Sequence, residues 1–316
     1  MLRRFWVLWA AGLALTEMVH ADPPTFSWAP GSVVKVTEIC RKTGSDMMVS
    51  YKLHVEEKPN GHLLVSPSDI EPLQINGLVR PKDAPLGSTT QLSLRAGGYE
   101  AQYDVSPEGQ LVDVPNFDGM VDAMQELFKE QRWESPEAKN SALAAVAQMK
   151  SSSGRQLLRG LIVQKWASWV QTWRSFKVAP GETSTAAEKT AVPFGKAVDV
   201  QVKRWNLGPV PSDPKLSHLK CEITTSDPSL RDRLLQYMEK VRPIKSEEDK
   251  RSREKLAQSK ISTVVTTECY IDLATLRPNW VKRTSVSVID PMPADIHSGA
   301  NRLEFEYSFD WPKESQ

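Results

Sequence analysis

Val49-Ser50-Tyr51-Lys52-Leu53-His54-Val55-Glu56 alternates apolar and polar residues without a break, and Pro59-Asn60-Gly61 closes the run. Strict alternation places every second side chain on one face, the pattern of a half-buried strand. Asn-Gly tolerates positive φ at both positions and is the strongest short hairpin turn. The chain is therefore expected to return through His62 to Ser66. A second hairpin is expected from Tyr99 to Val105, turning at Ser106-Pro107-Glu108-Gly109 and returning through Gln110 to Val114. Hairpins impose antiparallel pairing, which argues against a doubly wound parallel sheet.

Helical spacing then takes over. Phe117, Met120, Val121, Met124, Leu127 and Phe128 recur at the helical period and predict an amphipathic helix over 116–131. Ser135 before Pro136 and Glu137 signals an N-cap, opening an alanine-rich helix that runs to Lys150. A third helix is expected over 155–176, after the Ser151-Ser152-Ser153-Gly154 break. Residues 178–195 are small, polar and proline-bearing, and read as a linker.

Beyond it, Val198, Val200 and Val202 alternate with polar residues, and Leu216 to Thr225 gives another strand. Asp227-Pro228 opens a helix with the stripe Leu230, Leu234, Tyr237, Met238 and Val241. Ser246-Glu247-Glu248-Asp249 resembles a capping box before a nearly all-charged helix. Strands over 261–273, 280–289 and 302–309 close the chain. The expected fold is α+β: an antiparallel, curved sheet with several amphipathic helices packed across one face. One domain over 22–316 is expected, the variant being two parts, 22–177 and 196–316, joined by the linker 178–195. This layout is similar to that of periplasmic lipoprotein carriers, a likeness that carries no residue across.

The first residues differ in character from the rest. Arg3 and Arg4 precede the apolar run Phe5 to Leu15, and a polar stretch leads to Val19-His20-Ala21. That is the build of a secretory signal peptide over 1–21, cleaved after Ala21. The apolar run falls short of the about 20 residues that a stable span needs. Cleavage removes Arg3, Arg4 and Glu17 and leaves a formally neutral chain. No Asn-x-Ser/Thr acceptor occurs, which fits a bacterial envelope, periplasmic or extracellular location.

The 316 residues carry 40 Lys and Arg against 39 Asp and Glu, so no global field favours nucleic acid. A mean hydropathy of -0.40 belongs to a folded globular chain. Gly-x-Ser-x-Gly, His-Glu-x-x-His, Walker and Gly-x-Gly-x-x-Gly patterns are all missing from the sequence. Ser252-Arg253-Glu254-Lys255 matches Ser-x-x-Lys by letters alone. After cleavage the histidines are His54, His62, His218 and His297, none at ligand spacing. Asn116-Phe117-Asp118-Gly119 fails as a calcium loop, with Val114 and Gln125 where acidic ligands belong. No metal, cofactor or catalytic residue is expected.

Two constellations remain. Cys40, Cys221 and Cys269 are an odd count for an exported chain. Cys221 and Cys269 each lie on the apolar parity of a strand, so they are the expected disulfide. Trp166, Trp169 and Trp173 line one face of the 155–176 helix with Leu158 and Ile162, while Arg155, Arg159, Lys165, Arg174 and Lys177 supply cations. Such a stripe either covers the sheet as core or lines a cavity for an apolar ligand. The expected function is that of an exported, non-catalytic binding protein for an apolar small molecule or lipid. The alternatives are a secreted hydrolase with a site assembled from scattered residues, and an interaction protein with no small ligand.

Overall fold

The computed structural model describes residues 14–15, 24, 26–42, 44–81, 86–130, 140, 151–191, 197–225, 228–241, 247–290 and 300–312. The expected leader, apart from Ala14 and Leu15, and the expected helix to Lys150, apart from Asn140, lie outside these residues. So do Asp227, Ser246 at the head of the expected capping box, and His297.

The described residues form one antiparallel sheet of 13 strands. Strand β1 (Ala14–Leu15) lies at one end, outside β8, and the first flank holds β2 (Val33–Lys42), β3 (Ser45–Glu57), β4 (Leu63–Ile75), β5 (Leu78–Val79), β6 (Tyr103–Val105) and β7 (Leu111–Asp113). The second holds β8 (Thr183–Ala191), β9 (Val198–Val210), β10 (Asp213–Thr225), β11 (Lys260–Asp272), β12 (Arg277–Asp290) and β13 (Ala300–Asp310). The spatial order is β1-β8-β9-β10-β11-β12-β13-β2-β3-β4-β6-β7, with β5 on β4. The last strand of the chain thus pairs with β2, joining a C-terminal meander to an N-terminal one.

The α+β expectation, with several amphipathic helices across one face, is corrected by this arrangement. Among the described residues strand dominates, and the helices are few and short: α1 (Ser88–Ala96), α2 (Phe117–Glu130), α3 (Ser152–Trp166), α4 (Pro228–Val241) and α5 (Glu247–Gln258). Helices α1 and α2 pack on each other, and α4 packs on α5 through Leu234 and Leu256, beside Ile261 and Ile289. Among the described residues, α3, with the π-helical turn Ala167–Gln171 that continues it, lies against the middle of the sheet.

The physical reason is strand length. Alternation persists through charged positions, so β3, β9, β10 and β11 each run 13 residues. Strand β4 runs on past Ser66 despite Pro67 and Pro72, because the register with β3 shifts near Ser50 and Val49 and absorbs them as irregularities. The stretch expected as a linker contains β8, paired with β9 from Thr183↔Trp205 to Thr190↔Val198.

One sheet face is predominantly apolar. Val34 and Val36 on β2, Tyr51 and Leu53 on β3, Tyr307 and Phe309 on β13, Val281 on β12 and Leu219 on β10 are all buried. The other face is lined by polar pairs: His218 with Glu268 at 2.6 Å, the Trp280 indole donating to Glu306 at 3.1 Å, and Arg41 with both Glu304 and Glu306. The chain leaves β7 at one edge and re-enters at β8 on the other. At about 4.8 Å per strand, the segment between them must cross roughly 50 Å of sheet. Helix α3 lies within that crossing.

Gly98 fixes how closely α3 approaches. Its φ is +69°, and a Cβ there would lie 2.9 Å from Ile162 Cγ1. A Gly98→Ala variant combines left-handed backbone with an overpacked contact, at a cost of about 1–3 kcal/mol. Urea unfolding should show a lower midpoint with an unchanged slope.

Candidate functional site

The tryptophans that the sequence singles out are buried: Trp166 is 0%, Trp169 1% and Trp173 0% exposed. Trp166 packs against Trp28 at 5.2 Å and Tyr103 at 5.7 Å between ring centroids, and donates its indole N–H to Gly109 O at 3.0 Å. Trp169 meets Tyr307 and Phe309 edge-on at 5.5 and 5.6 Å. Trp173 donates to Ser168 O at 2.9 Å and packs on Phe176. The helix widens to a π turn here, where Ser168 and Thr172 hydroxyls donate back to the Gln164 and Ala167 carbonyls. The widening lets Trp166, Trp169 and Trp173 all reach the sheet side. Trp169 differs from its neighbours in one respect. Its indole N–H is buried with no hydrogen-bond partner among the described residues.

Next to it lies a polar cluster that sequence reading missed. Glu38 on β2 is 0% exposed, on the same face as Val34 and Val36. It accepts from Lys165 Nζ at 2.9 Å, Tyr99 Oη at 2.7 Å and Tyr51 Oη at 3.2 Å. The Lys165 ammonium also stands over the Tyr99 ring, 3.6 Å from its centroid. Burial, followed by the Glu38 charge, holds the Tyr51 and Tyr99 phenols well above their ordinary range. Both hydroxyls therefore stay protonated and donate. The signal for the cluster was readable: Glu38 falls on the apolar parity of β2, and Lys165 on the helical stripe between Ile162 and Trp169.

The cluster floors a narrow crevice lined by Tyr51, Leu53, Pro67, Gly98, Tyr99, Tyr103, Lys165 and Trp169. As it stands the crevice is too narrow to admit a water molecule. It lies between the sheet, the turn after α1 and α3. Of the three tryptophans, Trp169 alone lines it.

Other groups are brought together less productively. His62 Nδ1 lies 2.8 Å from Asp104, which Lys58 also pairs. The Ser106 hydroxyl donates to Glu108 at 2.6 Å. His54 bonds Ser68 on the polar face. No group of three His, Cys, Asp or Glu side chains among the described residues is placed to hold a metal ion.

The expected disulfide is not formed: Cys40, Cys221 and Cys269 are all free thiols. Strands β10 and β11 are neighbours, but the register sets Leu219 opposite Cys269 and Cys221 opposite Thr267. The two cysteines are diagonal, about 7–8 Å apart between Cα atoms and beyond ordinary bridge geometry. Burial pushes the Cys40 and Cys221 thiols up to about 12, and Cys269 well above its usual value.

No family model matches the chain, and no curated protein matches it. A solved structure described as "Lipid-protein interactions in lipovitellin" is similar over 92% of this chain and 26% of that one, at 10% identity and a TM-score of 0.38. Nothing is transferred from a likeness of that degree. Among the described residues, no helix is long and apolar enough to cross a membrane.

Lys165→Met strands a carboxylate in the core, which costs about 3–5 kcal/mol when a buried pair loses one partner. Adding Glu38→Gln should recover part of that loss in the same denaturation assay. For the thiols, thiolate appears only as pH rises toward 12. Alkylation of native protein at neutral pH should therefore be negligible at Cys40, Cys221 and Cys269, and complete at all three after unfolding without reductant.

Proposed function

We propose that the protein is an exported, non-catalytic binding protein of the cell envelope, which seats an apolar molecule or lipid between its sheet and α3. The observation that carries this reading is the unpartnered Trp169 indole N–H on the wall of the crevice. A buried donor without an acceptor costs about 1–3 kcal/mol, so it needs a reason to persist. A lipid supplies both requirements of the site: a chain for the walls of Leu53, Tyr99 and Tyr103, and an ester or amide oxygen to accept from Trp169. The Glu38–Lys165 pair is internally neutralised, so the crevice favours no charged head group. The leader composition over 1–21 supports export.

Native mass spectrometry of protein purified after export tests the reading. A lipid-mass adduct that organic extraction removes is expected. Trp169→Phe, which keeps an aromatic ring and deletes the donor, should lose most of that adduct while folding as the parent does. Equal retention by Trp169→Phe, or no adduct in the parent, would overturn it.

A further inference from the structure

The two edges of the sheet are built differently. At one end β7 spans only three residues, is followed by Pro115, and its Asp113 is paired with Arg159 at 2.7 Å. Short strands, prolines and charges are the usual guards of a sheet edge. At the other end β8 runs nine residues, Thr-Ser-Thr-Ala-Ala-Glu-Lys-Thr-Ala, with neither proline nor glycine. Its register with β9 is unbroken by any bulge. Thr183, Ser184, Thr185, Ala187 and Lys189 are exposed.

Among the described residues, one strand pairs with the outer side of β8. Ala14 pairs with Ala191, and Leu15 with Thr190, antiparallel. An extended apolar segment is therefore already accepted on this edge, and it belongs to the leader. Removal of residues 1–21 takes that strand away and leaves a long, regular edge.

We infer that in the processed chain β8 pairs antiparallel with β8 of a second copy, joining two sheets across a two-fold axis at Ala187. This inference rests on the proposed removal of the leader. The strand's own sequence sets the register. Centring on Ala187 pairs the whole of β8, from Thr183 opposite Ala191, and places Glu188 opposite Ala186 and Lys189 opposite Thr185. No like charges meet. Centring on Glu188 or Lys189 would face two carboxylates or two ammonium groups. Glu188 is in any case turned inward, its carboxylate held by Arg204 at 2.7 and 3.2 Å. The small side chains of the remaining positions let two backbones approach without obstruction. A single strand pair buries less than the ~1,000 Å² typical of stable complexes, so this dimer forms and dissociates with concentration.

Sedimentation velocity over a dilution series tests it, using protein purified after export whose N-terminus is read by intact mass. Parent protein beginning at Asp22 should pass from monomer to dimer as concentration rises. Ala187→Lys and Ala187→Glu each place like charges on the axis, and should raise the midpoint roughly tenfold or more. An equimolar mixture of the two should associate again. Ala187 is exposed and remote from the crevice, so melting temperature serves as the control for folding. Processed parent protein that stays monomeric throughout, or a dimer indifferent to both charges, would overturn the inference. A mass that begins at Met1 would instead overturn the removal of the leader, and the dimer with it.

Discussion

Lys165 and Glu38 meet at 2.9 Å with side chains that are 7% and 0% exposed. One sits on the helix that crosses the sheet and the other on β2, near the seam where the two meanders join. Apolar contact alone would hold α3 against the sheet while leaving its position along the face loosely specified. A buried charge pair removes that freedom, because any sliding strands both charges at a desolvation cost of several kcal/mol. The two tyrosine hydroxyls complete the carboxylate's shell from β3 and from the turn after α1. Three segments, α3, β3 and the turn after α1, thus converge on one carboxylate of β2. The placement of Trp166, Trp169 and Trp173 follows from that fixed point.

Legibility in the sequence tracked the amplitude of the hydrophobic alternation. Helix α2 begins and ends within a residue of the 116–131 reading, because its stripe of Phe117, Met120, Val121, Met124 and Leu127 is uninterrupted. The three closing strands and the Asn60-Gly61 turn were readable for the same reason. Strand β8 was not: Thr, Ser and Ala have no apolar face to read, since an edge strand packs little against the layer above it. The far half of β4 was hidden by Pro67 and Pro72 and by Asp69 at φ 50°, features that mark loops until a neighbouring strand accommodates them. The fold class failed because helical stripes were readable but helix placement was not, and Ser88–Ala96 was not expected as a helix at all. Amphipathic periodicity shows that a helix has something to cover, and nothing about how much sheet lies beneath it.

The candidate site was half legible. The tryptophan stripe stood out, but its chemistry belongs to residues that break the pattern, Glu38 and Lys165. A charge on the apolar parity of a strand is the more informative residue, because it must be met by something equally buried. Two such violations, far apart in sequence and opposite in sign, are a contact prediction in themselves. The disulfide failed on a finer point. Parity put Cys221 and Cys269 on one face, yet bridging needs opposed register, which parity cannot supply.

A single-layer sheet this wide also has to keep its uncovered face in water without letting the strands slip. The polar pairs there do so. Lys220 stands opposite Trp205 and Glu268, and Tyr270 lies between His218 and Trp280, so β9, β10, β11 and β12 are tied to one another by cation–π and ring contacts. A slip of one residue would carry Trp280 and Tyr270 to the covered face, and Val281 and Ile271 into water. The apolar face and the polar ladder thus specify the same register from opposite sides. That agreement makes a long meander rigid enough to hold α3 in place, and at β8, whose side chains are small, the Glu188–Arg204 pair ties the strand to β9.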